Sequence, residues 1–181
     1  MVKFFFLFFI PFITLSCNKR DIFNVNFLTL GSFNMEWLGD GIDDNKPRTE
    51  EQLLLIAKIL QLSDIEVLGV QEIENEAALN SIVTKMEGYN FCLSQHPSKQ
   101  KLGVIHKDYI QIEVIGDYTP LSLIDFGYNT RPGFLVKVIK NDFDFLMMVV
   151  HLKSTSRYDS TIALREESRY QRNLQSKIIS H

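Results

Sequence analysis

The sequence predicts a mixed α/β protein of α/β (α+β) type, and three observations predict it. The run Ile65 to Val70 is, apart from Glu66, apolar and rich in β-branched residues, with Asp64 before it and polar residues after it. That pattern reads as a strand covered on both faces, as in a parallel or mixed sheet. Segments with helical spacing flank this strand, and strand, helix, strand, helix, strand is the signature of helices covering a sheet. Beyond Gly88 the helical spacing stops, and short strand-like runs separated by turns take over.

The elements follow in order. Phe27 to Asn34 reads as the first strand, and Gly39 to Arg48 as a polar loop rich in Gly and Asp. Thr49 and Gln52 form a capping box that starts a helix. Leu53, Ile56, Ala57 and Leu60 repeat at i, i+3, i+4 and i+7, which gives that helix one apolar face. After the central strand, Asn75 caps a second helix, whose apolar face is Leu79, Ile82, Val83 and Met86 and which Gly88 ends. Five strands are expected next, at Tyr89 to Leu93, Leu102 to His106, Gln111 to Ile115, Gly133 to Ile139 and Phe143 to Val150. Asn141-Asp142 is the hairpin turn between the last two. Thr161 to Ser180 reads as a final helix, with Tyr170, Leu174 and Ile178 as its apolar stripe and Arg165, Arg169 and Arg172 on another face.

Composition bounds the function. The chain has 181 residues, 45% apolar and 23% charged, which suits one globular domain with a substantial core. A formal net charge of -3 excludes a generic polyanion binder, so any nucleic-acid contact must come from a local basic patch.

The N-terminus reads separately. One cation, Lys3, precedes an apolar run from Phe4 to Leu15 and then Ser16-Cys17. This is the pattern of a secretory signal peptide, and the run is too short for a good transmembrane helix. A Cys directly after a small residue resembles the bacterial lipoprotein signal, which would make Cys17 the lipidated first residue, although Thr14 stands where an aliphatic residue is usual. The expected organisation is a signal peptide over 1–17, a tether over 18–26 and a domain over 27–181. The chain is then exported, either secreted or anchored to the bacterial cell envelope by the lipid, its one contact with a membrane. Cys92, the remaining cysteine, cannot form an intradomain disulfide and reads as a buried thiol.

Four residues stand at strand ends: Asn34, Glu72, Arg131 and His151. Glu72 emerges from the central strand, and carboxylates in such places are paired or bound to metal. Mg²⁺ takes hard oxygen ligands and often keeps only one or two carboxylates. Glu72 supplies such a carboxylate, and Asn34 supplies an amide oxygen or a hydrogen bond to a metal-bound water or the phosphate. Arg131 offers a phosphate contact, and His151 titrates near neutral pH. Lys153 and Glu36 are secondary candidates.

Ser32-Phe33-Asn34, Gln71-Glu72, Thr130-Arg131-Pro132 and His151-Leu152-Lys153-Ser154 occur in this order. Together they resemble the endonuclease/exonuclease/phosphatase family, the Mg²⁺-dependent group that includes deoxyribonuclease I, exonuclease III-type repair enzymes, sphingomyelinases and inositol polyphosphate 5-phosphatases. The resemblance covers residue 27 to the end. It implies the N-terminal portion of a four-layer α/β/β/α sandwich with the second sheet incomplete. It also implies Mg²⁺ (Mn²⁺ in its place) on Glu72 and Asn34, His151 and Glu72 as catalytic residues, and Arg131, Asn34 and Lys153 on the substrate phosphate.

The family pattern includes two further motifs, a Gly-Asp-Phe-Asn-like one and a Ser-Asp-His-like one, whose residues position and activate the water. Neither occurs here, and Asp125-Phe126-Gly127 and Asp142-Phe143-Asp144 sit in the wrong context. The expectation is a truncated, catalytically incomplete member whose inner sheet face lacks its partner and exposes apolar surface. The expected function is Mg²⁺-dependent phosphodiester hydrolysis, first as a secreted or lipid-anchored nuclease acting on nucleic acid. Hydrolysis of a phospholipid or sugar phosphate is the alternative within the family. A non-catalytic surface lipoprotein that keeps the half-fold is the alternative outside it.

Overall fold

The computed structural model describes residues 27–44, 47–154 and 159–180. The signal peptide, the tether and Cys17 lie outside the described residues. Among the described residues no helix is long and apolar enough to cross a membrane.

Among the described residues, seven strands form two sheets. The first contains β1 (Leu30–Leu38), β2 (Val67–Ile73), β3 (Tyr89–Leu93) and β4 (Lys101–Lys107), in the order β1-β2-β4-β3. The second contains β5 (Gln111–Tyr118), β6 (Gly133–Lys140) and β7 (Phe143–Val149), in sequence order. β1 and β2 run parallel, and the other pairs are antiparallel. The first sheet is therefore mixed, and β2 lies inside it, as its unbroken apolar run predicts. The crossover from β1 to β2 is α1 (Glu50–Ser63), which Thr49 and Gln52 start with the expected reciprocal box. Asn75 caps α2 (Glu76–Val83) by accepting from Ala78 N.

Strand alternation divides the core in two. Leu68, Val70 and Ile105 face the helices and pack with Ala57, Leu60, Leu79 and Ile82. Val67, Leu102 and Val104 face the second sheet and pack with Phe134, Val136, Val138 and Val149. The layers are helices, first sheet, second sheet. The inner faces meet where β2 and β4 pack on β6 and β7, but part of the inner surface stays bare, as the incomplete second sheet predicts: Leu30, which pairs with Val67, and Val114, which pairs with Val136, are each 52% exposed. Other exposed apolar side chains are Trp37 on β1 and Leu54, Leu55, Ile59 and Leu62 on α1.

Three details differ from the sequence expectation. β1 runs on to Leu38, past Asn34. β2 continues to Ile73, so Glu72 lies within the strand, at a register shift, instead of beyond its end. The third is α3 (Ile162–Ile179), whose buried residues are Ser168 and Gln175, while Tyr170 of the expected apolar stripe is 52% exposed. α3 rests on a short 3-10 turn after β5 (Thr119–Ser122), where Gln175 donates to the Leu121 carbonyl.

Candidate active site

The site lies where the ends of β1, β2 and β7 come together with the loop before β6. Gly69 makes the approach possible. A Cβ there would stand 3.1 Å from a methyl of Val149, so its absence lets β7 lie close on β2. Val149 leads directly to His151 and Gly69 to Glu72, so the two functional side chains converge.

Glu72 holds a left-handed backbone, φ 63°. Glu36 and Trp37 hold the same conformation, φ 51° and 58°. Non-glycine residues rarely adopt it, and the cost is about 1 kcal/mol or more each. Three such residues at adjoining strand ends mark a segment shaped for a task other than pairing. The excursion in β2 turns the Glu72 carboxylate toward β1, where Oε1 accepts from Asn34 Nδ2 at 3.0 Å and Oε2 from Trp37 N at 3.2 Å. Asn34 Oδ1 accepts from Glu36 N at 2.8 Å, and Arg48 Nη2 donates to the carbonyls of Met35 and Glu36, both at 2.9 Å. The strained corner is thereby held from both sides.

His151 Nε2 stands 3.5 Å from Glu72 Oε1. Burial holds the His151 pKa below its ordinary value, and the Arg131 charge adds to this, while Glu72 pulls the other way. The imidazole is therefore neutral at pH 7. Burial likewise lowers the Arg131 pKa, opposed by Glu72, but a guanidinium stays charged. Arg131 also donates from Nη1 to Gln100 Oε1. A cleft of about 340 Å³ opens beside these groups, lined by Ser98, Tyr128, Asn129, Thr130, Arg131, His151, Lys153 and Gln171. None of the lining residues is acidic. Arg131 Nε and His151 Nδ1 are buried without a hydrogen-bond partner among the described residues. Orphaned polar atoms of this kind call for an explanation, and a bound anion supplies one.

The structure brings all five sequence-predicted residues of the domain to this place. Asn34, Glu72 and His151 are in direct contact or close to it, Arg131 acts electrostatically on His151 and is itself acted on by Glu72, and Lys153 lines the cleft. Asn34 turns its nitrogen, not its oxygen, to Glu72. The donor set suits a hard divalent cation. Each Glu72 oxygen accepts one hydrogen bond and keeps a free lone pair, and the neighbouring imidazole is neutral.

Several contributors escaped sequence reasoning. The Trp37 amide, Arg48 and the lining residues Tyr128, Asn129 and Gln171 carry no motif. Asp40, Asp44 and Glu74 bring carboxylate oxygens within 4.8 Å of one another. Asn75 Nδ2 donates to Asp40, Gly41 N to Asp44, and Lys99 pairs with Glu74 Oε1, while Glu74 Oε2 is buried without a hydrogen-bond partner among the described residues.

Two stacked sheets with helices against the first form a mixed α/β fold consistent with an incomplete deoxyribonuclease I-like sandwich. Solved structures with this fold include TDP2 from Caenorhabditis elegans, at 17% identity and TM-score 0.52, covering 73% of this chain and 37% of that one. A humanized Danio rerio TDP2 reaches TM-score 0.54 at 18% identity, covering 84% of this chain and 54% of that one. A mannosyl-6-phosphatase from Bacteroides thetaiotaomicron also reaches 0.54, at 20% identity, covering 84% of this chain and 59% of that one. The chain thus spans between 37% and 59% of the length of these structures. At the sequence level, no family model and no curated protein matches. The likeness is one of fold.

Proposed function

We propose that this chain belongs to a divalent-metal-dependent hydrolase of phosphoric esters, with nucleic-acid phosphodiesters as the first substrate class. The observation that carries the proposal is the pair of buried, unpartnered donors, Arg131 Nε and His151 Nδ1, beside a cleft lined by cations and neutral polar groups and by no acid. A tetrahedral phosphate oxyanion meets the needs of these groups. Glu72 would hold the cation, Mg²⁺ by its hard-oxygen chemistry with Mn²⁺ as a substitute, and Asn34 and Trp37 N would orient the carboxylate. The bound cation supplies Lewis acidity toward a nonbridging oxygen. Arg131 and Lys153 neutralise the remaining phosphate charge. Neutral His151 donates a hydrogen bond or accepts a proton without adding a fixed charge beside the metal. The exposed Arg165 and Arg169 on α3, the helix that also supplies Gln171 to the cleft, provide a place for a nucleic-acid backbone.

A second reading, hydrolysis of a phosphorylated carbohydrate, draws on the small polar cleft with Tyr128, Asn129 and Gln171, and on the fold shared with a protein described as a mannosyl-6-phosphatase. Supercoiled plasmid, RNA, a sphingolipid phosphodiester and hexose 6-phosphates, each assayed with Mg²⁺ and with EDTA, separate these readings. Mg²⁺-dependent turnover of one class, lost in Glu72→Gln, selects it. A protein that neither hydrolyses any of them nor binds inorganic phosphate in Mg²⁺ refutes the proposal. Export with lipid attachment at Cys17 is part of the same reading. Cys17→Ala should then move the protein from the membrane fraction to the soluble one.

A further inference from the structure

The helix α3 buries two polar residues and no large apolar one, and the more deeply buried is Gln175, with 0% exposure. Its amide is used in full. Nε2 donates to Leu121 O at 3.0 Å and to Thr130 Oγ1 at 3.1 Å, and Oε1 accepts from Lys153 N at 2.9 Å. Thr130 in turn donates its hydroxyl to Leu121 O at 2.6 Å and its amide to Ser122 O at 2.8 Å. Three chain segments distant in sequence thus meet on one side chain: the turn after β5, the loop before β6 and the segment after β7. Thr130 immediately precedes Arg131, and Lys153 follows His151 by two residues. Gln175 itself does not line the cleft.

We propose that Gln175 is the positioning residue of this site. It fixes the loop that carries Arg131 against the segment that carries His151 and Lys153, so that their cationic and neutral donors converge on one phosphate. The inference rests on the phosphate-ester reading above. The chemistry selects glutamine. Lys153 N–H can only donate and Leu121 O can only accept, so the partner must accept once and donate on its other side, which fixes the amide orientation as well. Glutamate has the acceptor but loses both donors and brings a charge into a buried place. Leucine fills the volume but leaves the Lys153 amide unpaired, a buried donor whose loss of a partner the structure must answer by moving. Neither β6 nor β7 can hold this spacing alone. Arg131 and His151 both lie outside the strands, where no ladder hydrogen bond sets their separation.

The test uses the full chain and three variants, Gln175→Leu, Gln175→Met and, as a control, Leu79→Ala. Leu79 is buried between α2 and the first sheet, far from α3 in the contact network, so it lowers stability without touching the clamp. Thermal melts show which variants have comparable losses of stability. Inorganic phosphate, titrated calorimetrically in the presence of Mg²⁺, reads the geometry of the site. Hydrogen exchange at the Lys153 amide reads the clamp itself. The expected result is faster Lys153 exchange and about ten- to a hundredfold weaker phosphate binding in the Gln175 variants, the scale that small misplacements of aligned groups produce. Leu79→Ala should keep wild-type phosphate affinity at an equal loss of melting temperature. Unchanged phosphate affinity in the Gln175 variants overturns the inference and leaves the proposed function standing. Equal weakening in Leu79→Ala overturns it too, because the effect is then one of stability alone. Absence of phosphate binding in the wild-type chain removes both. Should Gln175→Leu not fold, Gln175→Met, flexible and of similar shape, is read by the same criteria.

Discussion

At the scale of the residue, Glu72 is held from several sides. Its left-handed backbone, two accepted hydrogen bonds and the imidazole 3.5 Å away all bear on one carboxylate. Glu72→Gln keeps the shape and removes the charge. It should weaken inorganic phosphate binding in Mg²⁺ by about tenfold or more, the loss of one charged partner, while a urea melt changes by only about 1 kcal/mol, one hydrogen bond's worth. The histidines make a second prediction. Burial lowers the pKa of both His106 and His151 from the ordinary 6.5. Above 6.5 both the folded and unfolded forms are neutral there, and nothing is gained or lost. Below 6.5 the unfolded chain takes up the proton first, so stability falls with pH until the lowered folded pKa is reached. The urea midpoint should therefore drop from pH 7 toward pH 5.5, and His106→Gln should flatten part of that slope. An unchanged slope in His106→Gln would assign it elsewhere. Glu66, whose pKa lies below its ordinary 4.5, acts only in a more acid window.

At the scale of the element, two substitutions separate packing from capping. Gly69→Val places a branched side chain against Val149 and wedges β7 away from β2. Stability should fall by about 1–3 kcal/mol, the cost of overpacking a core, and phosphate binding should fall with it, because Glu72 and His151 share that spacing. Thr49→Ala removes one hydrogen bond of the α1 box and should cost about 1 kcal/mol in a denaturant melt with phosphate binding intact. The elements also show what sequence reveals and what it hides. α1 was legible because its cap and its apolar period agree, and β2 because a run buried on both faces has one composition. The Glu72 bulge was not legible, since a left-handed glutamate has no local signature and its conformation is imposed by the contacts with Asn34 and Trp37. The buried face of α3 was misread for a related reason. Period finds apolar stripes, and the most deeply buried residue of this helix is Gln175, whose partners are Leu121 O, Thr130 Oγ1 and Lys153 N in loops distant from the helix in sequence. Asn34, Glu72, Arg131 and His151 stood out in the sequence as an ordered set, and the structure places them near one another, but Asn34 and Glu72 lie within strands instead of at their ends and the clamp that spaces the set had no sequence signal.

At the scale of the whole molecule, an ionic contact between Lys140 and Glu66 ties the two sheets together. Glu66, 8% exposed, precedes β2 and accepts from Lys140 at the end of β6, from Tyr109 in the turn between the sheets and from Thr29 N. Burial raises its pKa, but the hydrogen bonds from Lys140, Thr29 and Tyr109 outweigh it, and the net shift is downward. The carboxylate thus remains charged and depends on its partners. Lys140→Met leaves that charge without its cation and should cost about 2 kcal/mol, since breaking such a pair exposes the desolvation it had offset. The double variant Glu66→Gln/Lys140→Met should recover part of the loss. A denaturant melt of both proteins reads the difference.

The two sheets are also contiguous blocks of chain, 30–107 and 111–149, and every strand pairs within its own block. Each block can acquire its hydrogen bonds from nearby sequence, and only docking joins distant residues, which makes docking the slower and later event. Glu72 belongs to the first block, and Arg131 and His151 follow from the second. Neither block holds the proposed anion-binding pair together with the carboxylate. Phosphate binding, followed during refolding, should therefore lag the return of secondary structure and appear only when the sheets dock. A protease acting on partly folded chains should cut in the short turn at residues 108–110 before it cuts within either block.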